Sequence, residues 1–548
     1  MEVILNKIIF LIFILISCGC ASQNSYNADI VVYGDASGGV TAAIQAARMN
    51  KKVILISQYG HLGGMTSSGL GWTDLGSDKI LGGLSREFYH RLYSHYQKDE
   101  AWTQEEYAKF HNKGQGDPAL NHKTKLASTF EPKVAEDIFN EMIKEAGVKV
   151  IKGQLDLSKK AEMTGKRITA IILKGGVKIT GKMFIDASYE GDLLEAANVS
   201  FTVGRESNDK YKEVGNGITG PRRGNQLPNG IDPYIVKGDK SSGLLPGVNA
   251  DMGGPLGGAD HGLQAYCYRM VLTTVARNRV PITKPKNYNE ADYEILFRAI
   301  EVGQRGRFFK TTSVPNKKTD GNNASGISCD LIGGNYGKDW NWTTLNQQER
   351  QKLAEKHRDW QLGMLWTLQN HPRVPEKIRQ RILPWGLAKD EFTDNNNWPY
   401  NLYVREGRRM VSDLVMTESH CKNQTAVIDP IGMGAYTLDS HNVQRFVYNG
   451  MVKNEGDIQT HLHGKPYGIS YRSIIPKKGE CENLLVPWAL SASHIAFGSI
   501  RMEPVFMALG QSAATAASMA IDKQQSVQQV SYEALRERLL KDDQRIKN

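Results

Sequence analysis

Hydrophobic and polar positions divide this chain into short apolar runs separated by glycine-rich turns. Ile8 to Ile16 is an unbroken apolar run behind Lys7. Spanning a bilayer core takes about 20 helical residues, so this run predicts a signal-peptide core. Ala28 to Tyr33 predicts a strand buried on both faces of a parallel sheet. Val40 to Met49 carries alanine at 42, 43, 46 and 47 and predicts a helix lying close to that sheet; Lys52 to Ser57 is the next strand, completing a βαβ unit. Phe130-Glu131-Pro132 opens a helix running to Ala146 with Gly147 as its C-cap, followed by a strand from Val148 to Lys152. Alternation over Arg167–Leu173 and Val177–Thr180 predicts a β-meander leading to a buried strand at Phe184. Towards the C-terminus, Leu484 to Pro487 reads as a strand and a small-residue helix begins at about Pro504.

The first turn, Gly34-Asp35-Ala36-Ser37-Gly38-Gly39, has the chemistry of a dinucleotide-binding loop. Gly34 permits the tight turn, a small residue at 36 lets the backbone approach a pyrophosphate, and Gly39 admits close helix packing. The helix N-terminus then offers free N–H donors to the anion. Two departures stand out. Ala36 replaces a glycine, and the second strand ends in Ser57 and Gln58 where an acid would hold a ribose hydroxyl.

Charge and cysteines narrow the classes further. The 68 basic and 58 acidic residues give a formal +10, with no concentrated basic run interleaved with aromatics, which argues against nucleic acid as a partner. Leu15-Ile16-Ser17-Cys18 spells a bacterial lipobox, predicting removal of residues 1–17 and acylation of Cys18, with 18–27 as a polar tether. The expected location is the bacterial cell envelope, lipid-anchored to a membrane on the periplasmic or surface side. Cys20, Cys267, Cys329, Cys421 and Cys481 show no paired metal-ligand spacing, so neither a zinc site nor a disulfide framework is indicated.

Further motifs make the organisation specific. His61-Leu62-Gly63-Gly64-Met65-Thr66 and Gly69-Leu70-Gly71-Trp72-Thr73-Asp74 follow the second strand, and Phe184-Ile185-Asp186-Ala187-Ser188-Tyr189-Glu190-Gly191-Asp192 follows the meander. Later blocks are Tyr403 to Met410, Leu438 to Asn442, Tyr471-Arg472-Ser473, and Ser491 through Ala514. In this order they resemble the bacterial family of FAD-dependent oxidoreductases, over nearly the whole mature chain. The resemblance implies an α/β fold: a Rossmann-like, glutathione-reductase-type three-layer FAD domain with an inserted α+β cap or substrate domain. The FAD domain would comprise 28–204 and 401–530, the cap 205–400, and a C-terminal helix 531–548. The cofactor residues implied are Gly34, Ala36, Ser37, Gly38, Gly39, Ser57, Gln58, Gly63, Gly64, Met65, Val148, Asp186, Gly191, Asp192 and Gly510. The spacing at His61 departs from that of covalently attached flavins, so noncovalent FAD is expected.

Oxidising an alcohol with a flavin needs a base for the hydroxyl proton. The candidates are His494 and His441, with Arg501 and Arg472 to bind substrate or stabilise negative charge. His461 and His463 form a His-x-His in a polar stretch with no third ligand evident, so no metal is expected. The expected partners are a small-molecule or carbohydrate substrate, an electron acceptor not identifiable from the chain, and the membrane through the lipid. Trp340, Trp342, Trp360, Trp366, Trp385 and Trp398 suit either a sugar surface or core packing. Three other readings stand beside this one: an NAD enzyme, a glycan-binding lipoprotein with structural FAD, and a polysaccharide lyase.

Overall fold

The computed structural model describes residues 25–114, 118–332 and 341–547. Cys18 with its lipobox, Cys20 and Trp340 lie outside the described residues. Ser25–Tyr33 (β1) leads into Ser37–Arg48 (α1) and Val53–Ser57 (β2). Pro132–Glu145 (α2) and Lys149–Lys152 (β3) follow, then Glu162–Thr164 (β4), Arg167–Ile172 (β5) and Lys178–Asp186 (β6). The chain returns to this unit far downstream with Leu484–Leu485 (β7), His494–Ile500 (α3) and Glu503–Asp522 (α4).

These strands form one sheet in the order β3-β2-β1-β6-β5-β4, with β7 also on β6. Strands β3, β2, β1, β6 and β7 run parallel, while β4 and β5 make the antiparallel meander. Strand β6 is long enough to hold both neighbours on one edge: Lys178–Thr180 pair with β5, and Phe184 and Ile185 pair with β7. Alternate residues enter two cores, as a strand's two-residue period requires. Ile30, Val32, Leu55 and Ile185 join the core containing α1 and α4 residues, whereas Val31, Tyr33, Ile54 and Phe184 join the core of the meander. Each fully buried side chain of this kind contributes about 1.5–3 kcal/mol.

Helix α4 lies directly on α1. A Cβ at Gly510 would stand 1.9 Å from the Gly38 carbonyl oxygen, and Ala513, Ala514, Ala516 and Ala517 are fully buried. By length and composition α4 could cross a membrane, but 89% of its apolar window is buried within the fold, so it serves as a core helix.

Between the two parts of this unit, Met270–Thr273, Arg279–Val280, Lys310–Val314, Lys318–Asn322 and Gly386–Ala388 form a five-stranded antiparallel sheet. The helix Gln347–Asn370 accompanies it. Residues beyond 400 also build outside the parallel sheet, since Gln444–Tyr448 and Met451–Glu455 join Val248–Asn249 in a three-stranded sheet. The tryptophans serve packing: Trp342, Trp360 and Trp398 are buried, and Trp366 and Trp385 lie partly buried against the same core.

Candidate active site

The parallel register places three turns at one edge of the sheet, because Tyr33 is paired with both Ile56 and Asp186. Gly34–Gly39, Ser57–Gln58 and Ala187–Asp192 therefore meet at the C-terminal ends of their strands, where open α/β sheets bind ligands. Gly34 has φ +111°, and a Cβ there would stand 2.5 Å from the Ala187 carbonyl carbon. A Cβ at Gly39 would stand 2.0 Å from the Gly34 carbonyl oxygen. Ala36 caps α1 with no side-chain hydrogen bond, which leaves the helix end suited to an anion.

Gly63 and Gly64 fold back onto this turn through a bridge between Ala36 and Gly63. Their near neighbours are protein atoms: a Cβ would lie 2.5 Å from the Phe139 ring at Gly63 and 2.3 Å from the Tyr189 hydroxyl at Gly64. The Met65 amide donates to that same Tyr189 hydroxyl at 2.6 Å. Glu503, in the first turn of α4, gathers the segment together. Its carboxyl accepts from Ser37 Oγ at 2.5 Å, Thr66 Oγ1 at 3.0 Å and Tyr189 Oη at 3.0 Å, and burial pushes its pKa up to about 7.

Asp186 accepts from Ser188 Oγ at 2.6 Å and from the Leu194 amide at 2.8 Å, and burial raises it to about 6. Gly191, at φ +68°, begins the short helix carrying Asp192, whose carboxylate is gripped by Arg350 at 2.7 and 2.9 Å and by Arg408 at 3.0 Å. Val148 is not brought to this edge. Strand β3 runs parallel to β2 and Lys149 pairs with Ile54, so Val148 stands at the opposite, N-terminal edge.

One cavity adjoins these turns, and a second holds the candidate His441. The first, of about 420 Å³, is lined by Gln58, Tyr59, Glu190, Asp192, Arg350 and Trp398 among others. Glu190 is buried, with Oε1 accepting from Trp342 Nε1 at 3.1 Å and Oε2 without a partner among the described residues. Burial, reinforced by neighbouring Asp192, pushes Glu190 up to about 7.

The second cavity, of about 410 Å³, contains His441 and Arg501 together with Trp72, Asp74, Lys310, Tyr403 and Asp439. His441 Nδ1 lies 2.6 Å from Asp330 Oδ2, and Asp330 also accepts from Arg405 at 3.1 Å. Asp330 is held well below the usual carboxylate range against its burial by Arg405 and His441. Burial first and the Arg405 cation second push His441 below its ordinary value, favouring neutral imidazole. An ionised carboxylate only accepts, so Nδ1 carries the proton toward Asp330, and Nε2 is the remaining proton-accepting atom, 3.6 Å from Asp439 Oδ2. Arg501 pairs with Asp439 at 2.7 Å and donates to Tyr403 Oη at 2.8 Å; its Nε is buried without a partner among the described residues.

His494 and Arg472 lie elsewhere. His494 is buried at the start of α3, with Nδ1 2.8 Å from Glu406 and Nε2 3.1 Å from Ser440 Oγ, so both ring nitrogens are committed to protein. Arg472 is paired with Asp429 at 3.0 Å on the surface. Two clusters of metal-ligand type already hold a protein cation. Lys318 sits 2.6–2.7 Å from Glu131, Asp390 and Glu391, and Arg405 contacts both Cys267 and Asp330. The four described cysteines are free and buried. Sequence reasoning did not single out Asp330, Glu190, Glu503 or Lys310. Glu503 and Glu190 stand inside the recognised blocks, but Asp330 and Lys310 carry no local signal.

Comparison with known proteins supplies the family context. The sequence profile described as FAD dependent oxidoreductase matches residues 29–539. No curated protein matches the chain. Solved structures to which it is similar include the 3-ketosteroid-delta4-(5alpha)-dehydrogenase of Rhodococcus jostii RHA1, with 15% identity, 33% of this chain, 50% of that chain and a TM-score of 0.21. The L-proline dehydrogenase of P. horikoshii shows 16% identity over 33% of this chain and 59% of that one, with a TM-score of 0.23. A flavocytochrome c3 fumarate reductase shows 14% identity over 36% of this chain and 48% of that one, with a TM-score of 0.21. In each case the match spans less than two thirds of the other protein's length. The residues present fit FAD: Ser37 and Gly38 at the start of α1 suit its pyrophosphate, Gly39, whose amide donates to the Ala36 carbonyl, allows the close packing behind them, and the free Glu190 oxygen suits a ribose hydroxyl.

Proposed function

We propose that this chain, which belongs to the family of FAD-dependent oxidoreductases, oxidises an alcohol carbon of an organic substrate with His441 as the base. When bound, FAD supplies the two-electron acceptor for the hydride that leaves the carbon. The hydroxyl proton passes to Nε2 of His441, and the product is a carbonyl compound. Arg501 stabilises the negative charge that develops on the substrate oxygen as the proton leaves. The observation that carries this reading is the 2.6 Å contact between His441 Nδ1 and Asp330, which orients a neutral imidazole beside an open cavity.

The test is anaerobic stopped-flow reduction of the bound flavin by substrate. His441→Ala should keep its FAD and slow reduction by about 10²–10⁴-fold, the usual contribution of a general base. Reduction at the normal rate would remove His441 from the mechanism. His494 acts instead as a positioning residue: its hydrogen bond to Ser440, the last residue of the strand Leu438–Ser440, fixes the segment that presents His441.

A sugar-like substrate is supported by the character of the cavity. Among the described residues its lining includes Thr312, Asn322, Asn323, Thr437 and Gln459 beside the aromatic Trp72, Tyr403 and Tyr436, and no Leu, Ile, Val, Met or Phe. Ligand pockets are ordinarily lined mainly by apolar side chains, so this lining suits a ligand rich in hydroxyl groups. The Leu15–Cys18 lipobox supports placement in a bacterial envelope on a lipid anchor. Cys18→Ala should move the protein out of the membrane fraction; unchanged palmitate incorporation would rule out acylation at Cys18.

A further inference from the structure

The cavity that holds His441 contains three strongly basic side chains beside the carboxyl groups of Asp74 and Asp439, and two of the three cations are already paired. Arg269 makes a two-pronged pair with Asp320, both contacts at 2.6 Å. Arg501 is paired with Asp439 at 2.7 Å. Lys310 is different: it is exposed where it lines the cavity, and among the described residues its ammonium has neither an ion-pair partner nor a side-chain hydrogen bond, its only carboxylate influence being at longer range on Asp457.

Its place in the fold is defined. Lys310 begins the strand Lys310–Val314 and is the direct cross-strand partner of Asn322. Directly opposed residues project to the same face of a sheet, and Asn322 and Asn323 line the same cavity as Lys310. A cation is thereby set beside amide donors. Hydroxyl groups can be served by amides and hydroxyls alone; an unmatched ammonium among them suits an anionic oxygen.

We infer that the substrate is a polyhydroxylated compound bearing one anionic group, a sugar carboxylate or a sugar phosphate ester, which Lys310 binds. This rests on reading the cavity as the substrate site. The rest of the ligand would lie along the polar lining, within the cavity that also holds the base. The formal +10 of the chain favours the approach of such a substrate from solution.

The experiment uses the FAD-loaded protein and three sets of probes: hexuronates, hexose phosphates, and the neutral parent hexosides, each in gluco, galacto and manno forms. Calorimetry reports affinity, and Lys310→Gln is measured alongside. The expected result is that an anionic probe binds at least about tenfold more tightly than its neutral parent, and that Lys310→Gln removes the difference. Preference for the uronates identifies a carboxylate; preference for the phosphates identifies a phosphate ester. Equal binding of anionic and neutral probes, a preference that persists in Lys310→Gln, or no binding by any probe would each overturn the inference.

FAD content and chemical reducibility are read on the same samples. A protein that keeps a reducible flavin and oxidises a neutral hexoside loses the anionic inference while the flavoenzyme reading stands. A protein without reducible flavin fails at the earlier step.

Discussion

Asp330 Oδ2 and His441 Nδ1 stand 2.6 Å apart although their positions in the chain differ by 111. Asp330 thereby sets which imidazole nitrogen carries the proton, and Arg405 keeps Asp330 ionised. Asp330→Asn should preserve FAD content but present a different hydrogen-bonding partner to His441, slowing flavin reduction by about 10²-fold or more. The slower step should appear in kcat rather than in KM. An unchanged rate would show that the contact does not orient the base.

The pH dependence follows from the same pair. As the proposed base His441 would act in its neutral form, and burial holds its pKa below the ordinary histidine value. Flavin reduction should therefore be flat across neutrality and fall only on acidification, through a pKa under about 6.5. A limb at or above neutrality would contradict a buried His441 as the base.

Glu503 bears on stability. Its pKa is raised to about 7, so the group favours folding most fully below its unfolded value of 4.5 and loses that contribution as pH rises through about 7. The difference is on the order of 3 kcal/mol. Glu503→Gln stays neutral, so its melting temperature should gain on the wild type as pH increases from 5 to 9. A gap that is constant with pH would mean that Glu503 does not change ionisation on folding.

Glu190 bears on the cofactor. The second strand ends in Ser57 and Gln58, so the charge that would hold a ribose is missing from its usual place, and Glu190 offers a free oxygen in the cavity beside Gln58. Glu190→Ala should weaken FAD retention by about tenfold or more, measured as FAD per protein after dialysis. Retention equal to that of the wild type would assign Glu190 to packing with Trp342 alone.

Local sequence determined the elements and the turn chemistry. The run Ala28–Tyr33, the alanine-rich helix, and the glycines at 34 and 39 are legible because strand period and tight turns depend on neighbouring residues. The small residues of α4 likewise announced a helix that packs closely. Only the tertiary structure distinguishes the surroundings of the two candidate histidines. His441 and His494 both sit in family-like blocks with similar local signals, but His441 hydrogen-bonds Asp330 through Nδ1 while its Nε2 faces the cavity 3.6 Å from Asp439, whereas Glu406 and Ser440 hydrogen-bond both nitrogens of His494. The same holds for Lys310, whose freedom is visible only once Arg269 and Arg501 have found Asp320 and Asp439. Such pairings join segments tens to hundreds of residues apart, and long-range packing, which no local pattern encodes, decides which charges meet.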